Sequence, residues 1–165
     1  MATTDPAPQF GAPEPGREHR DRPTAFAVAE RDGRIAVVHI TRADGTYVDL
    51  PGGALDPGED EAEALVREWG EETGLRIEPA RRLGRGDQYM LKVDGEPVNN
   101  RAALFEARIT GEDAALKIED DHELRWLSPQ EAIAALRHPM HAWAVALWLR
   151  ARREDAEGPR VRAPA

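Results

Sequence analysis

The stretch Gly53-Ala54-Leu55-Asp56-Pro57-Gly58-Glu59, followed after seven residues by Arg67-Glu68-Trp69-Gly70-Glu71-Glu72-Thr73-Gly74-Leu75, decides how the rest of the chain is read. From about Asp60 to Thr73 the residues Ala62, Leu65, Val66, Trp69 and Thr73 recur at helical spacing, and Gly74 is the expected stop. At about 100° per residue, Glu68, Glu71 and Glu72 share one helix edge, roughly a third of a turn from the apolar stripe. That places them beside the core rather than in it. Carboxylates at i, i+3 and i+4 repel one another at neutral pH, and Glu71 and Glu72 sit near the carboxyl end, where the helix dipole opposes them. A bound cation removes both costs. With oxygen ligands and no His or Cys nearby, the expected ion is Mg²⁺, with Mn²⁺ as the alternative. The plainer reading is a solvated acidic face. Against it, a strand, a Gly-Gly turn and a helix place backbone amides and carbonyls beside the acids, as a phosphate and metal site requires.

Upstream, the apolar runs Ala25 to Ala29 and Ile35 to Ile40 flank Arg31-Asp32-Gly33-Arg34, whose Asp-Gly is a hairpin turn signal. A third run, Thr46 to Leu50, stops at Pro51-Gly52-Gly53. Downstream, strands are expected around Leu83 to Val93, at Ala102 to Ile109 and at Glu123 to Leu127. Ser128-Pro129 then opens a helix in the favoured cap-then-proline order. After Pro139 a last helix carries the stripe Met140, Trp143, Ala144, Leu147 and Trp148, read as core, with a homodimer face as the alternative. Strands and helices mix without regular βαβ alternation, which predicts an α+β fold with a mixed sheet between helices.

The 165 residues suit one domain, expected over 23–153. Prolines and glycines without apolar periodicity predict disordered tails over 1–22 and 154–165. Hydrophobic residues make up 41% and charged residues 32%, and no apolar run is long enough to span a bilayer, so no membrane partner is expected. No secretory signal is legible at Met1 to Pro6, and a cytoplasmic protein is expected. Without cysteine the chain has no disulfide, thiolate nucleophile or Cys-ligated metal site. The formal charge of −9 repels nucleic-acid backbones on average, which argues against a duplex partner. That charge is concentrated: Gly53 to Leu75 has eight acids and one base, Glu112 to Glu123 six acids and one base, and the remainder is net basic.

The run from Gly53 to Leu75 resembles the signature of the Nudix hydrolases: Gly, five residues, Glu, seven residues, Arg-Glu, an apolar residue, any residue, Glu-Glu, any residue, Gly, an apolar residue. Every fixed position is present. Leu50-Pro51-Gly52-Gly53 and Arg125-Trp126-Leu127-Ser128-Pro129-Gln130-Glu131 extend the similarity over most of Ala25 to Trp148. The departures are Trp69, where a smaller aliphatic is usual, and Gly70, which costs a helix interior about 1 kcal/mol. Trp69 is expected to pack under the sheet and Gly70 to permit a close backbone approach.

The resemblance implies a MutT-like α/β/α sandwich and Mg²⁺-dependent cleavage of a diphosphate linkage in a nucleoside diphosphate-X substrate, a nucleoside triphosphate or nucleotide-sugar, by metal-activated water. It implies Glu68 and Glu72 as main metal ligands, with Glu71 sharing the ion or polarising water and the Gly53 carbonyl completing the set. Glu59 and Arg67 become a structural ion pair. A Nudix-fold nucleotide-binding or regulatory domain without turnover is the other function class. The base varies within the family: Glu72 and Glu71 are candidates, and of Glu119, Asp120, Asp121 and Glu123 the preferred extra ligand or base is Glu123.

Arg81, Arg82, Arg85 and Arg101 are candidates for substrate phosphates, Arg85 and Arg101 foremost. Tyr47 and Tyr89 are candidates for stacking on a base, and Asn99-Asn100 for hydrogen-bonding it. His39, His138 and His141 read as packed rather than as ligands. Specificity is expected in a long connection from Arg76 to Asn100.

Overall fold

Residues Thr24 to Val28 are all buried, and their side chains divide between two cores, Phe26 and Val28 in one and Ala25 and Ala27 in the other. A strand covered on both faces reads as a continuous apolar run, which is how this segment reads in sequence. The computed structural model describes residues 7–158. The elements are β1 (Gln9–Phe10), β2 (Arg20–Val28), β3 (Glu30–Arg31), β4 (Arg34–Arg42), β5 (Gly45–Asp49), β6 (Gly52–Ala54), α1 (Glu61–Thr73), β7 (Leu75–Leu91), β8 (Pro97–Glu112), β9 (His122–Leu127), α2 (Pro129–Ala135) and α3 (Pro139–Glu157).

Among the described residues one sheet runs β1-β7-β8-β2-β6, mixed in direction: β2 is parallel to β8 and β1 to β7, while β7–β8 and β2–β6 are antiparallel. In the second sheet β4 pairs antiparallel with β3, β5 and β9. Helix α1 supplies Leu65 and Trp69 to one core, and α3 supplies Met140, Ala144, Val145 and Trp148 to the other. The fold is the expected α+β arrangement, with mixed sheet between helices.

Local signals explain the element ends. Asp60 caps α1 by accepting from the Glu63 amide while Glu63 reaches back to the cap, and Gly74 closes the helix in the left-handed region. Ser128 and Glu131 form the same box on α2, with Pro129 in the first turn. Asp32 and Gly33 both have positive φ, as a two-residue hairpin turn between β3 and β4 requires.

Four features differ from expectation. The Arg76 to Asn100 connection is instead the long β7–β8 hairpin, whose tip alone is irregular. Its apolar alternation is interrupted by arginines on the outward face and by register shifts near Ile77, Pro79 and Gly84. The segments expected as tails are partly structured: β1 pairs with β7, Arg20 to Arg22 begin β2, and α3 runs to Glu157. Residues 1–6 and 159–165 lie outside the described residues. The buried face of α1 is turned toward the glutamates: Ala64, Leu65, Trp69 and Glu72 are inside, while Ala62 is exposed and Val66 is 44% exposed. Lastly, Gly70 meets the Leu116 side chain, not a backbone. The stripe on α3 is core at Met140, Ala144 and Trp148, with Trp143 at the surface.

A Cβ placed on Gly70 stands 3.4 Å from Leu116, an ordinary contact. Gly70→Ala is therefore expected to stabilise the protein by about 0.5–1 kcal/mol, the helix-propensity difference, measured by urea denaturation. A loss of stability would show that Leu116 cannot yield.

Candidate active site

A cavity of about 1060 Å³ opens between the two sheets. Its acidic wall is made by Gly52, Gly53, Glu68, Glu72 and Glu119, with Arg22 and His122 also lining it. Tyr47, Arg137, His138 and His141 line it as well, and the tip of the β7–β8 hairpin, Met90 to Gly95, forms another wall.

The acidic wall depends on two glycines and one arginine. Gly52 has φ +142° and a Cβ there would fall 2.2 Å from the Ala25 carbonyl oxygen, so the chain can turn here only without a side chain. Its amide donates to Glu72 Oε2 at 3.1 Å. At Gly53 a Cβ would stand 2.6 Å from the Glu68 carboxylate, which therefore rests directly on the backbone. Arg67 donates to both Glu59 oxygens, at 2.6 and 2.9 Å, to the Ala54 carbonyl, to Glu68 at 3.0 Å and to Glu71 at 3.3 Å. One guanidinium thus fastens the loop after β6 to α1, using the planar fork that a lysine lacks. Glu59 is held down at about 2, chiefly by Arg67.

Burial sets the proton affinities. Glu72, 7% exposed, is pushed well above the ordinary carboxylate range by burial first and by the Glu68 charge second. Burial also raises Glu68, and Arg67 opposes it. Glu119 adds to the rise in both. It reaches this place because the Glu71 carbonyl, left free at the end of α1, accepts from the Ile118 and Glu119 amides, each at 3.0 Å. The donor set, Glu68 and Glu72 against the Gly52–Gly53 turn with Glu119 lining the same cavity, suits a hard divalent cation.

The other expected residues separate into two groups. Tyr47 lines the cavity, its hydroxyl donating to Asp44 at 2.7 Å and the Arg137 guanidinium 4.5 Å above its ring. Asn100 also lines it and accepts from Arg22 at 3.3 Å, whereas Asn99 makes a reciprocal amide pair with Gln9. Glu123 stands outside the cavity. Alternation along β9 turns it outward, where it is exposed and pairs with Arg125 at 2.8 Å, while His122 points in. Arg101 pairs with Asp21 and Asp87, being on the strand face opposite Asn100. Gly84 and Gly86 face α3, so Arg85 turns away and meets Glu61 at 3.4 Å. Arg82 also meets Glu61, and Arg81 joins Glu106 and Asp155. Tyr89 stacks on His19.

Arg22, Arg137 and His122 were missed. Arg22 lay in the segment read as a tail, although it precedes the buried run Thr24 to Val28 at strand spacing. Asp49 accepts two bonds from Arg137, at 2.6 and 3.2 Å, which brings α2's end to the cavity. His141 lines the cavity too; its Nδ1 accepts from the Leu50 amide at 3.2 Å.

Residues 19–149 match the family model described as NUDIX domain. The chain belongs to the Nudix family. It is 33% identical over 105 residues, 64% of this chain and 65% of that one, to a Bacillus subtilis (strain 168) protein provisionally named 8-oxo-dGTP diphosphatase. It thus spans about two thirds of that relative's length. It is 30% identical over 113 residues to the RNA pyrophosphohydrolase of Sphingopyxis alaskensis, covering 62% of this chain and 72% of that one. The solved NUDIX hydrolase from Nitrosomonas europaea superposes with a TM-score of 0.68 at 24% identity, covering 80% of this chain and 90% of that one, a likeness of fold. No helix among the described residues of this Nudix chain is long and apolar enough to cross a membrane.

His141 is 1% exposed, and burial pushes it down to about 3. Between that value and about 6.5 the unfolded chain binds a proton that the native ring refuses, so stability falls as pH falls through this window. Glu72 contributes with the opposite sign, and comparison with His141→Gln cancels it. From pH 7 to pH 5 the native chain is expected to lose on the order of 2 kcal/mol relative to the variant, measured by urea denaturation. Equal losses in both proteins would contradict this assignment.

Proposed function

We propose that this Nudix chain is a Mg²⁺-dependent pyrophosphohydrolase that cleaves a diphosphate linkage in a small nucleotide, a nucleoside triphosphate or nucleotide-sugar. The observation that carries the reading is the seating of Glu68 and Glu72 on the Gly52–Gly53 turn, in a cavity that Glu119 and Arg22 also line. The relatives' names, an 8-oxo-dGTP diphosphatase and an RNA pyrophosphohydrolase, agree in the bond acted on and differ in substrate.

Glu68 and Glu72 are the main ligands for Mg²⁺ or Mn²⁺, with the Gly53 carbonyl and Glu119 beside them; Glu71 shares the ion or polarises water. The bound ion supplies neutralisation of the pyrophosphate charge and activation of water. Arg67 and Glu59 keep the loop and helix in register, so the carboxylates are positioned before substrate arrives. Arg22, partly desolvated but cationic, binds a phosphate oxygen. The attacking water gives its proton to a carboxylate; Glu72 and Glu71 are the candidates, and Glu119 replaces Glu123 as the extra one. Tyr47 and the Arg137 side chain supply a flat surface for a base. A cytoplasmic setting belongs to the same reading.

A panel of nucleoside triphosphates, dinucleoside polyphosphates, ADP-ribose and nucleotide-sugars, assayed with and without millimolar Mg²⁺ by ³¹P NMR, tests it. Hydrolysis is expected only with the metal. Glu68→Gln and Glu72→Gln are expected to lower kcat by about 10²–10⁴-fold with unchanged circular dichroism. Retained activity in both variants sinks the ligand assignment. Arg22→Ala is expected to raise KM about tenfold, with a smaller change in kcat.

A further inference from the structure

Between Glu72 and the loop before β9 lies a gap that a hydrogen bond does not close. His122 Nε2 stands 3.6 Å from Glu72 Oε1, beyond hydrogen-bond distance. Both side chains are 9% exposed. The hydrogen bond Glu72 accepts among the described residues is at Oε2, from Gly52, and Oε1 faces the imidazole. On the ring's other side, Nδ1 lies 2.7 Å from Asp121 Oδ1. A carboxylate only accepts, so Nδ1 donates, and in the neutral ring Nε2 then carries the lone pair. Asp121 is itself held by Arg42 at 3.4 Å, and burial of His122 against α1 fixes the ring. Glu119, Asp121 and His122 each offer a ligand atom within 4.8 Å of the others.

A ring nitrogen and a carboxylate oxygen that face each other beyond hydrogen-bond distance are spaced as two ligands of one ion. With bonds of about 2.1 Å, octahedral ligand atoms stand about 3.0 Å apart when adjacent and about 4.2 Å when opposite. The Asp121–His122 pair also has the form of a carboxylate that orients a metal-bound histidine.

We propose that His122 Nε2 is a ligand of the divalent cation held by Glu72, with Glu119 beside it and Asp121 as the positioning residue. This rests on the metal reading of the glutamates and changes its chemistry. One nitrogen in an otherwise oxygen set favours Mn²⁺ and its heavier neighbours over Mg²⁺, because imidazole binds transition ions better than it binds a hard alkaline-earth ion.

The test uses the full chain and Mn²⁺ alone. Pulsed electron paramagnetic resonance of bound Mn²⁺ is expected to display ¹⁴N coupling from a directly coordinated imidazole, converted to the ¹⁵N pattern when the chain is grown on ¹⁵N-histidine. His122→Gln is expected to retain Mn²⁺ binding about tenfold weaker, to lose the nitrogen coupling, and to lose most of its preference for Mn²⁺ over Mg²⁺ in competition titrations. Asp121→Asn is expected to weaken Mn²⁺ by about 10–100-fold while keeping the coupling. Mn²⁺ bound to the native chain without nitrogen coupling, or coupling that persists in His122→Gln, overturns the proposal and leaves the carboxylate site standing. Failure of the native chain to bind Mn²⁺ at all overturns both.

Discussion

The buried hydrogen bond from the Gly52 amide to Glu72 Oε2 is the constraint on which the rest of the site depends. It joins the turn after β5 to the last part of α1, and it draws a carboxylate into a place where only a satisfied polar group is tolerable. Because Glu72 is held there, α1 turns its glutamate edge inward and leaves Val66 and Ala62 at the surface. Because Gly52 lacks a side chain, the turn passes close over β2 and lets Glu68 lie on Gly53. Arg67 then compensates the charge that this orientation concentrates. Remove the bond and the reason for α1's rotation goes with it.

What was legible in the sequence was what local chemistry dictates. The cap at Ser128, the stop at Gly74 and the turn at Asp32-Gly33 each depend on a few neighbouring residues, and all stand where expected. The Glu59–Arg67 pair and the Gly53–Glu68 seat follow from one contiguous motif. What was not legible depended on strand parity or on distant partners. Glu119 and Glu123 differ by four positions in sequence, yet the start of β9 sends one into the cavity and the other to solvent. The stripe on α1 holds at Leu65, Trp69 and Thr73 and misses at Ala62 and Val66, because helical spacing alone cannot anticipate a buried carboxylate on the core side.

The arginines show the same limit. Arg81, Arg82, Arg85 and Arg101 have the composition expected of phosphate contacts, but each meets a carboxylate across the sheet or on a helix. Such exposed pairs contribute little to stability. Their effect is on the electrostatic layout: much of the basic frame is neutralised locally, and the cations facing the cavity are a small set that includes Arg22 and Arg137. The formal charge of −9 therefore describes the surface poorly at the one place where a polyphosphate has to enter.

The irregularities that concealed β7 have a use of their own. As the outer strand of its sheet, a straight apolar β7 would offer a long row of free backbone groups to any other chain. Instead Pro79 withholds an amide, three register shifts bend the ladder, arginines stud the outward face, and β1 covers the edge beside Asp87 and Gln88. A strand of 17 residues is thereby kept from pairing with its own kind, and the protein is protected against edge-to-edge aggregation by the same features that make the strand hard to recognise.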